Sequence, residues 1–304
     1  MGPRQDAPAH RRRHGGTPLS FTDFIAIDWS GQAVERPRGL AVAHARAGSA
    51  APELIDRNWS RHDILAYLTE IADTGTRALI GLDLTPSFPF DDEGAYFPGW
   101  QASPPDVPAL WRLVDTICAG DPHFSATSFV ADPDARRHFR QQGDCGDLFP
   151  SGRGRFRVCE YGQAAMHLSP CSNFNLVGAS QVGKSSLTGM RVLNRLRGKL
   201  GLWPVDPVPP EGPMLVEIYT SLAARLAGMR KGVSKIRDAA TLDTMLAAFG
   251  SDPHAPLARY DDHATDAMLS AAWLRVAAGQ PELWSPAGLT PELARTEGWT
   301  FGVP

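Results

Sequence analysis

A short apolar run that ends in an acid occurs three times in this chain, and no other feature limits its fold as much. Phe24-Ile25-Ala26-Ile27 runs into Asp28, Ala78-Leu79-Ile80-Gly81-Leu82 into Asp83, and Met214-Leu215-Val216 into Glu217. Apolar runs of this kind, bounded by turn formers, read as strands buried on both faces, the habit of parallel sheets packed between helices. An acid where such a strand meets its turn is unusual, because an ionised carboxylate near a core is costly unless it is paired or bound to a metal. A fourth acidic stretch, Asp261-Asp262-His263-Ala264-Thr265-Asp266, opens an alanine-rich helical pattern. Three strand acids and a helix acid are what a divalent-cation site needs.

Around these strands the chain reads as one α/β domain over residues 21–304. Residues 1–20 carry Arg11, Arg12 and Arg13 with no apolar run after them, which reads as a disordered tail and not a signal peptide. After the first strand, 39–45 and 53–59 are short strands joined by turns brief enough for an antiparallel meander. Ile64, Leu65, Leu68 and Ile71 have a helical period with Ser60 as N-cap. The strand ending in Asp83 follows, an order that favours a parallel, right-handed crossover. Residues 86–170 change texture: Pro, Gly and aromatic residues are dense, and two short helices are expected near 107–118 and 133–142. This stretch reads as an inserted cap over the strand ends. Further helices are expected at about 185–200, 221–228, 239–249 and 261–278.

Charge and cysteine usage bound the function. A net charge of −3 supplies no global basic field, which argues against a dedicated coat or chromatin protein. The four cysteines lack C-x-x-C spacing and read as reduced thiols, pointing to a cytoplasmic protein. No apolar run is long enough to span a membrane.

Magnesium and manganese take hard oxygen ligands, so a few convergent carboxylates suffice. Two such ions can activate a water and stabilise the leaving oxygen of a phosphodiester. Asp28, Asp83 and Glu217 have the strand positions for this, and Asp262 and Asp266, spaced i and i+4, project from one helix face. For any one acid, turn or helix capping is the competing role. His263 could shuttle protons or cap its helix, and Trp29 could stack a base or simply pack. Arg191, Arg195 and Lys199 share a face of the 185–200 helix, and Lys184 precedes it. Lys184, Arg191 and Arg195 are the expected phosphate contacts. Arg153-Gly154-Arg155-Phe156-Arg157 could track a phosphate backbone or be a solvated loop.

A second motif competes. Gly178-Ala179-Ser180-Gln181-Val182-Gly183-Lys184-Ser185 matches G-x-x-x-x-G-K-[ST], whose backbone amides cradle phosphates. The preceding Ser169–Val177 stretch is polar where a P-loop needs a buried strand, and no apolar run ending in Asp follows. A loop presenting Lys184 and amides near the acids is the preferred reading.

The β-β-β-α-β order, the acids at Asp28, Asp83, Glu217 and Asp266 and the small-residue helix resemble the ribonuclease-H-like superfamily. More narrowly, the chain is similar to the family of predicted nucleases known as domain of unknown function 429. The likeness lies in Ile27-Asp28, Ile80-Gly81-Leu82-Asp83, Val216-Glu217-Ile218-Tyr219, Asp262-His263-Ala264-Thr265-Asp266-Ala267 and the ending Glu297-Gly298-Trp299-Thr300-Phe301-Gly302-Val303. It spans residues 22–304. It implies a mixed five-stranded sheet flanked by helices, with the 86–170 insertion, and a Mg²⁺- or Mn²⁺-dependent nuclease acting on DNA or RNA. Asp28, Asp83, Glu217 and Asp266 would hold the metal, with Asp262 assisting. The i, i+4 spacing of Asp262 and Asp266 departs from the i, i+3 spacing usual in resolvase-type relatives. Two other classes stay open: an ATP-hydrolysing or phosphotransfer protein, through an actin-like relationship or the 178–185 segment, and a non-catalytic nucleic-acid-binding module.

Overall fold

A computed structural model describes residues 21–178, 182–230 and 235–304. The expected tail at 1–20 and residues 179–181 of the Gly178–Ser185 segment lie outside the described residues. In chain order the elements are β1 (Asp23–Asp28), β2 (Ala41–Arg46), β3 (Glu53–Leu54), α1 (Arg61–Thr74) and β4 (Ala78–Asp83). The inserted stretch carries α2 (Val107–Ile117), α3 (Thr127–Ala131), a small β5 (Arg140–Gln141) and β6 (Asp144–Cys145) pair, and α4 (Val158–Ala165). Then come α5 (Val182–Leu196), β7 (Leu202–Trp203), β8 (Met214–Glu217), α6 (Thr220–Leu226), α7 (Ala239–Ala247), α8 (Asp262–Ala277) and α9 (Pro291–Thr296).

The main sheet has the order β3-β2-β1-β4-β8-β7, with the β1–β2 and β2–β3 pairs antiparallel and the other pairs parallel. It is a mixed sheet flanked by helices, with six strands where five were expected. The extra strand is Leu202–Trp203, two residues before Pro204, too short to register as an apolar run. The expected strand at 53–59 contracts to Glu53–Leu54, because only these residues pair with β2. The expected helix at 133–142 is instead a single 3₁₀ turn, Ala135–His138, running into β5. Ser60 caps α1 as expected: its side chain accepts from Asp63 N while Asp63 accepts from Ser60 N, a reciprocal box.

Strand alternation divides the core. Ile25, Ile27, Ile80, Leu82 and Leu215 face one layer with α1, α2 and α5. Phe24, Ala26, Leu79, Met214 and Val216 face the other, where α8 and α6 lie. Successive side chains on a strand point to opposite faces, so parity decides the layer. Gly81 lets α8 approach: a Cβ there would come within 2.9 Å of Leu274 and closer still to Ile218. The inserted stretch does not only cover this body. Phe88, Phe97, Phe129 and Phe139 are fully buried and pack with Phe174, Phe88 stacking on it at 4.8 Å between centroids. These rings join the core beneath α1 and α5.

Candidate functional site

Register brings two of the strand acids together. β1 and β4 are parallel neighbours with Asp28 opposite Asp83, so both carboxylates leave the sheet at the same end and on the α8 face. Asp266, one turn into α8, joins them. Carboxyl groups gathered in a poorly hydrated corner disfavour one another's ionisation. Burial and the nearby charges of Asp28 and Asp266 push Asp83 well above the ordinary carboxylate range. Burial and Asp28 likewise raise Asp266 to about 7, against the opposing pull of His263, Lys235 and Arg237. His263 Nδ1 lies 2.6 Å from Asp28 Oδ2, and this bond raises the imidazole above its usual value. Thr220, at the start of α6, reaches the two Asp83 oxygens through its backbone N–H and hydroxyl at 3.4 Å, long contacts that hold the carboxyl weakly.

The turn after Asp28 is held rigidly. The buried Arg61 donates to Ser30 O and Gln32 O at 2.6 Å each. Gly31 sits against the first turn of α5, where a Cβ would lie 2.4 Å from Lys184 C and Ser185 N, so any larger residue forces the two apart. A half-open cavity of about 1070 Å³ lies off the strand ends; Asp83, Glu217, His263, Lys184, Tyr219 and Trp29 are among its walls. Trp29 is buried and donates Nε1 to Thr188 Oγ1 at 3.0 Å, so it packs as well as lining the cavity.

Glu217 has a different setting from its expected partners. It pairs in register with Leu82, not Asp83, and the one-residue offset sends its side chain to the opposite face. There Arg157, 0 % exposed, grips it with two bonds of 2.6 and 2.8 Å. Thr300 Oγ1 donates at 2.8 Å, and Glu160 shares the same guanidinium at 3.1 Å. Burial raises Glu160 to about 7, with Arg157 opposing. Asp262 also leaves the expected set: Lys235 and Arg237 both pair with it, Arg237 at 2.5 Å. Among the described residues, no three His, Cys, Asp or Glu side chains form a ready-made metal cage.

The expected phosphate contacts divide as well. Lys184 lines the cavity. Arg191 is buried, bonded to Asp115 at 3.2 Å and to the carbonyls of Asp121 and Ser125, which removes it from any phosphate-contacting surface. Arg195 is half exposed but pairs with the same Asp115 at 2.9 Å. Neither arginine lines the cavity. The helical spacing placed them on one face correctly; that face packs on α2.

Two functional-looking residues escaped the sequence reading. Arg157 stood in an Arg-Gly-Arg-Phe-Arg run with the look of a surface loop. Glu297 accepts the N–H groups of Phe90, Asp91 and Val158 at 2.7, 2.9 and 2.7 Å, fastening both flanks of the insertion to the C-terminal segment. Glu160 is the near partner of Arg157, at i+3, but Glu217 and the segments that Glu297 fastens are distant in sequence, so no local pattern marks either role. All four cysteines are free thiols. No helix among the described residues is long and apolar enough to cross a membrane. Compared with known proteins, the chain matches no family model, no curated protein and no solved structure.

Proposed function

We propose that the chain is a divalent-cation-dependent phosphodiesterase of ribonuclease-H-like fold acting on nucleic acid, with Asp28, Asp83 and Asp266 as its working carboxylates. The observation that carries this reading is the register that sets Asp28 opposite Asp83 at the end of the sheet, with Asp83 in the cavity wall and Asp266 close enough to act on it. Carboxyl groups perturbed by burial and by one another in a cleft are candidates for a functional site. Their chemistry fits the group: all three offer hard oxygen donors, and magnesium keeps several waters, so a closed protein cage is not required. The order of the antiparallel β1–β3 meander followed by parallel β4 and β8 supports the fold half of the reading.

Asp28 and Asp83 would hold the cation and Asp266 would complete the set. Bound there, a divalent ion supplies an acidified water and charge stabilisation for a phosphoryl oxygen. His263, bonded to Asp28, orients that carboxylate and holds a proton within reach of the cavity. Lys184 presents a cation to the substrate phosphate. Glu217 stays outside the ligand set and serves as the anchor for Arg157.

Calorimetric titration with Mn²⁺, followed by cleavage assays on single- and double-stranded DNA, RNA and hybrids, tests the proposal. Wild type should bind the ion and cut at least one substrate, and Asp83→Asn should do neither. Equal Mn²⁺ binding by Asp83→Asn would refute the assignment. A nucleotide-binding reading also has an observation behind it: Lys184 and Ser185 of the Gly178–Ser185 motif line the same cavity as Asp83. Mg²⁺–ATP binding abolished by Lys184→Ala would favour phosphotransfer instead.

A further inference from the structure

We propose that Arg153, Phe156 and Tyr161 form a base-stacking subsite for single-stranded nucleic acid at the rim of the acidic cavity. The choice of ligand rests on the phosphodiesterase reading; the strand state and the residues that hold a base go beyond it.

The three arginines of the 153–157 run have separate fates. Arg155 is buried, paired with Asp92 through Nε at 2.9 Å and bonded to the carbonyl of Tyr96 at 2.7 Å. Arg157 is locked between Glu160 and Glu217. Arg153 is exposed and has no carboxylate partner among the described residues. Its guanidinium lies 5.3 Å from the centroid of Phe156 and donates to Pro170 O at 2.7 Å. Phe156 in turn meets Tyr161, 6.1 Å between centroids, and Tyr161 is 62 % exposed. A lone surface aromatic needs no explanation. Two rings beside an unneutralised guanidinium offer what single-strand binding uses, a π-face for a base and a cation for its phosphate.

Position ties this group to the cavity. Pro170 and Ser169 belong to the cavity wall, and Ser169 O accepts from the Tyr219 hydroxyl at 3.3 Å. The helix that carries Tyr161 also places Glu160 and Gln163 in that wall. A strand leaving the cavity over Pro170 meets Arg153, which bonds Pro170 O and lies over Phe156, the ring beside Tyr161. Only an unpaired base has a face free to stack there, and the cavity has the volume of a small-ligand site.

The test is fluorescence anisotropy in EDTA with three labelled probes: oligothymidylate, an abasic strand of equal length, and a hairpin duplex. Wild type should bind oligothymidylate about tenfold or more tightly than the other two. Tyr161→Ala should lose that preference while binding the abasic strand unchanged, and its melting temperature should stay at the wild-type value because the ring is exposed. Arg153→Ala should weaken both single strands and lower the salt slope by about one. Equal affinity for oligothymidylate and abasic strand, or no effect of Tyr161→Ala, would overturn the proposal. Because binding is read without metal, cleavage with no stacking preference would reject the subsite and spare the phosphodiesterase. Stacking without cleavage would do the reverse.

Discussion

Two groups of acids stand at the same end of this sheet and have been given opposite environments. Asp28, Asp83 and Asp266 face one another, with His263 bonded to Asp28 on the solvent side and the charges of Lys235 and Arg237 acting on Asp266. Glu217, on the opposite face, meets a buried arginine whose remaining donors are also occupied. The contrast teaches that a strand-end acid is not by itself a ligand. Its partners decide whether the carboxylate is spent on architecture or left able to take a cation.

The comparison breaks most visibly at Arg157. Arg157→Met should destabilise the fold by about 3–5 kcal/mol in urea unfolding, because Glu217 and Glu160 would remain buried without their countercharge. A loss under about 1 kcal/mol would mean the network is not the anchor we describe. In the other cluster the effect should fall on activity: Asp28→Asn should lower phosphodiester cleavage at least ~100-fold, as loss of charge stabilisation at a reacting centre does. Its melting temperature should hold or rise, since the change relieves repulsion. A fall in stability matching that of Arg157→Met would erase the distinction between the two groups.

Titration sharpens it further. Asp83, Asp266 and Glu160 are all raised, so the folded state binds their protons more tightly than the unfolded chain. Stability from Asp266 and Glu160 is complete below the ordinary carboxylate range and is lost as pH rises through about 7, and the raised Asp83 acts in the same sense. Lowered carboxylates such as Asp63, at about 2, act in the opposite sense and in a lower window. The urea midpoint should therefore fall between about pH 5 and pH 7.5, and added Mg²⁺ should reduce that fall in wild type but not in Asp83→Asn. A rising midpoint would contradict the raised values. The smallest effect belongs to Glu160→Gln, expected within about 1 kcal/mol at neutral pH, because an amide oxygen can still accept from Arg157. Glu217→Gln, which breaks a bidentate pair, should cost clearly more.

The legibility of this molecule follows the range of its interactions. Apolar runs located β1, β4 and β8, and the capping serine and helical period located α1, because each signal lies within a few residues. The helix carrying Asp266 began within a residue of its expected start. Two-residue strands such as Leu202–Trp203 left no trace, since pairing and not local preference creates them. The aromatic insertion looked like a cover and contributes core, because burial of its phenylalanines depends on α1 and α5, which lie outside it in sequence.

The sequence alone determined that three strands end in acids and that a fourth acidic segment opens a helix. Tertiary structure decided which of these acids meet. Side chains alternate across a strand, so a register offset of one residue between Asp83 and Glu217 was enough to send them to opposite layers. Register is set by how whole strands and helices pack, and no short stretch of sequence contains it. The same holds for the arginines: a guanidinium 0 % exposed at Arg157 and an exposed one at Arg153 stand four residues apart in one run. Glu160, one helical turn on, and the distant Glu217, both brought against the first and not the second, separate them.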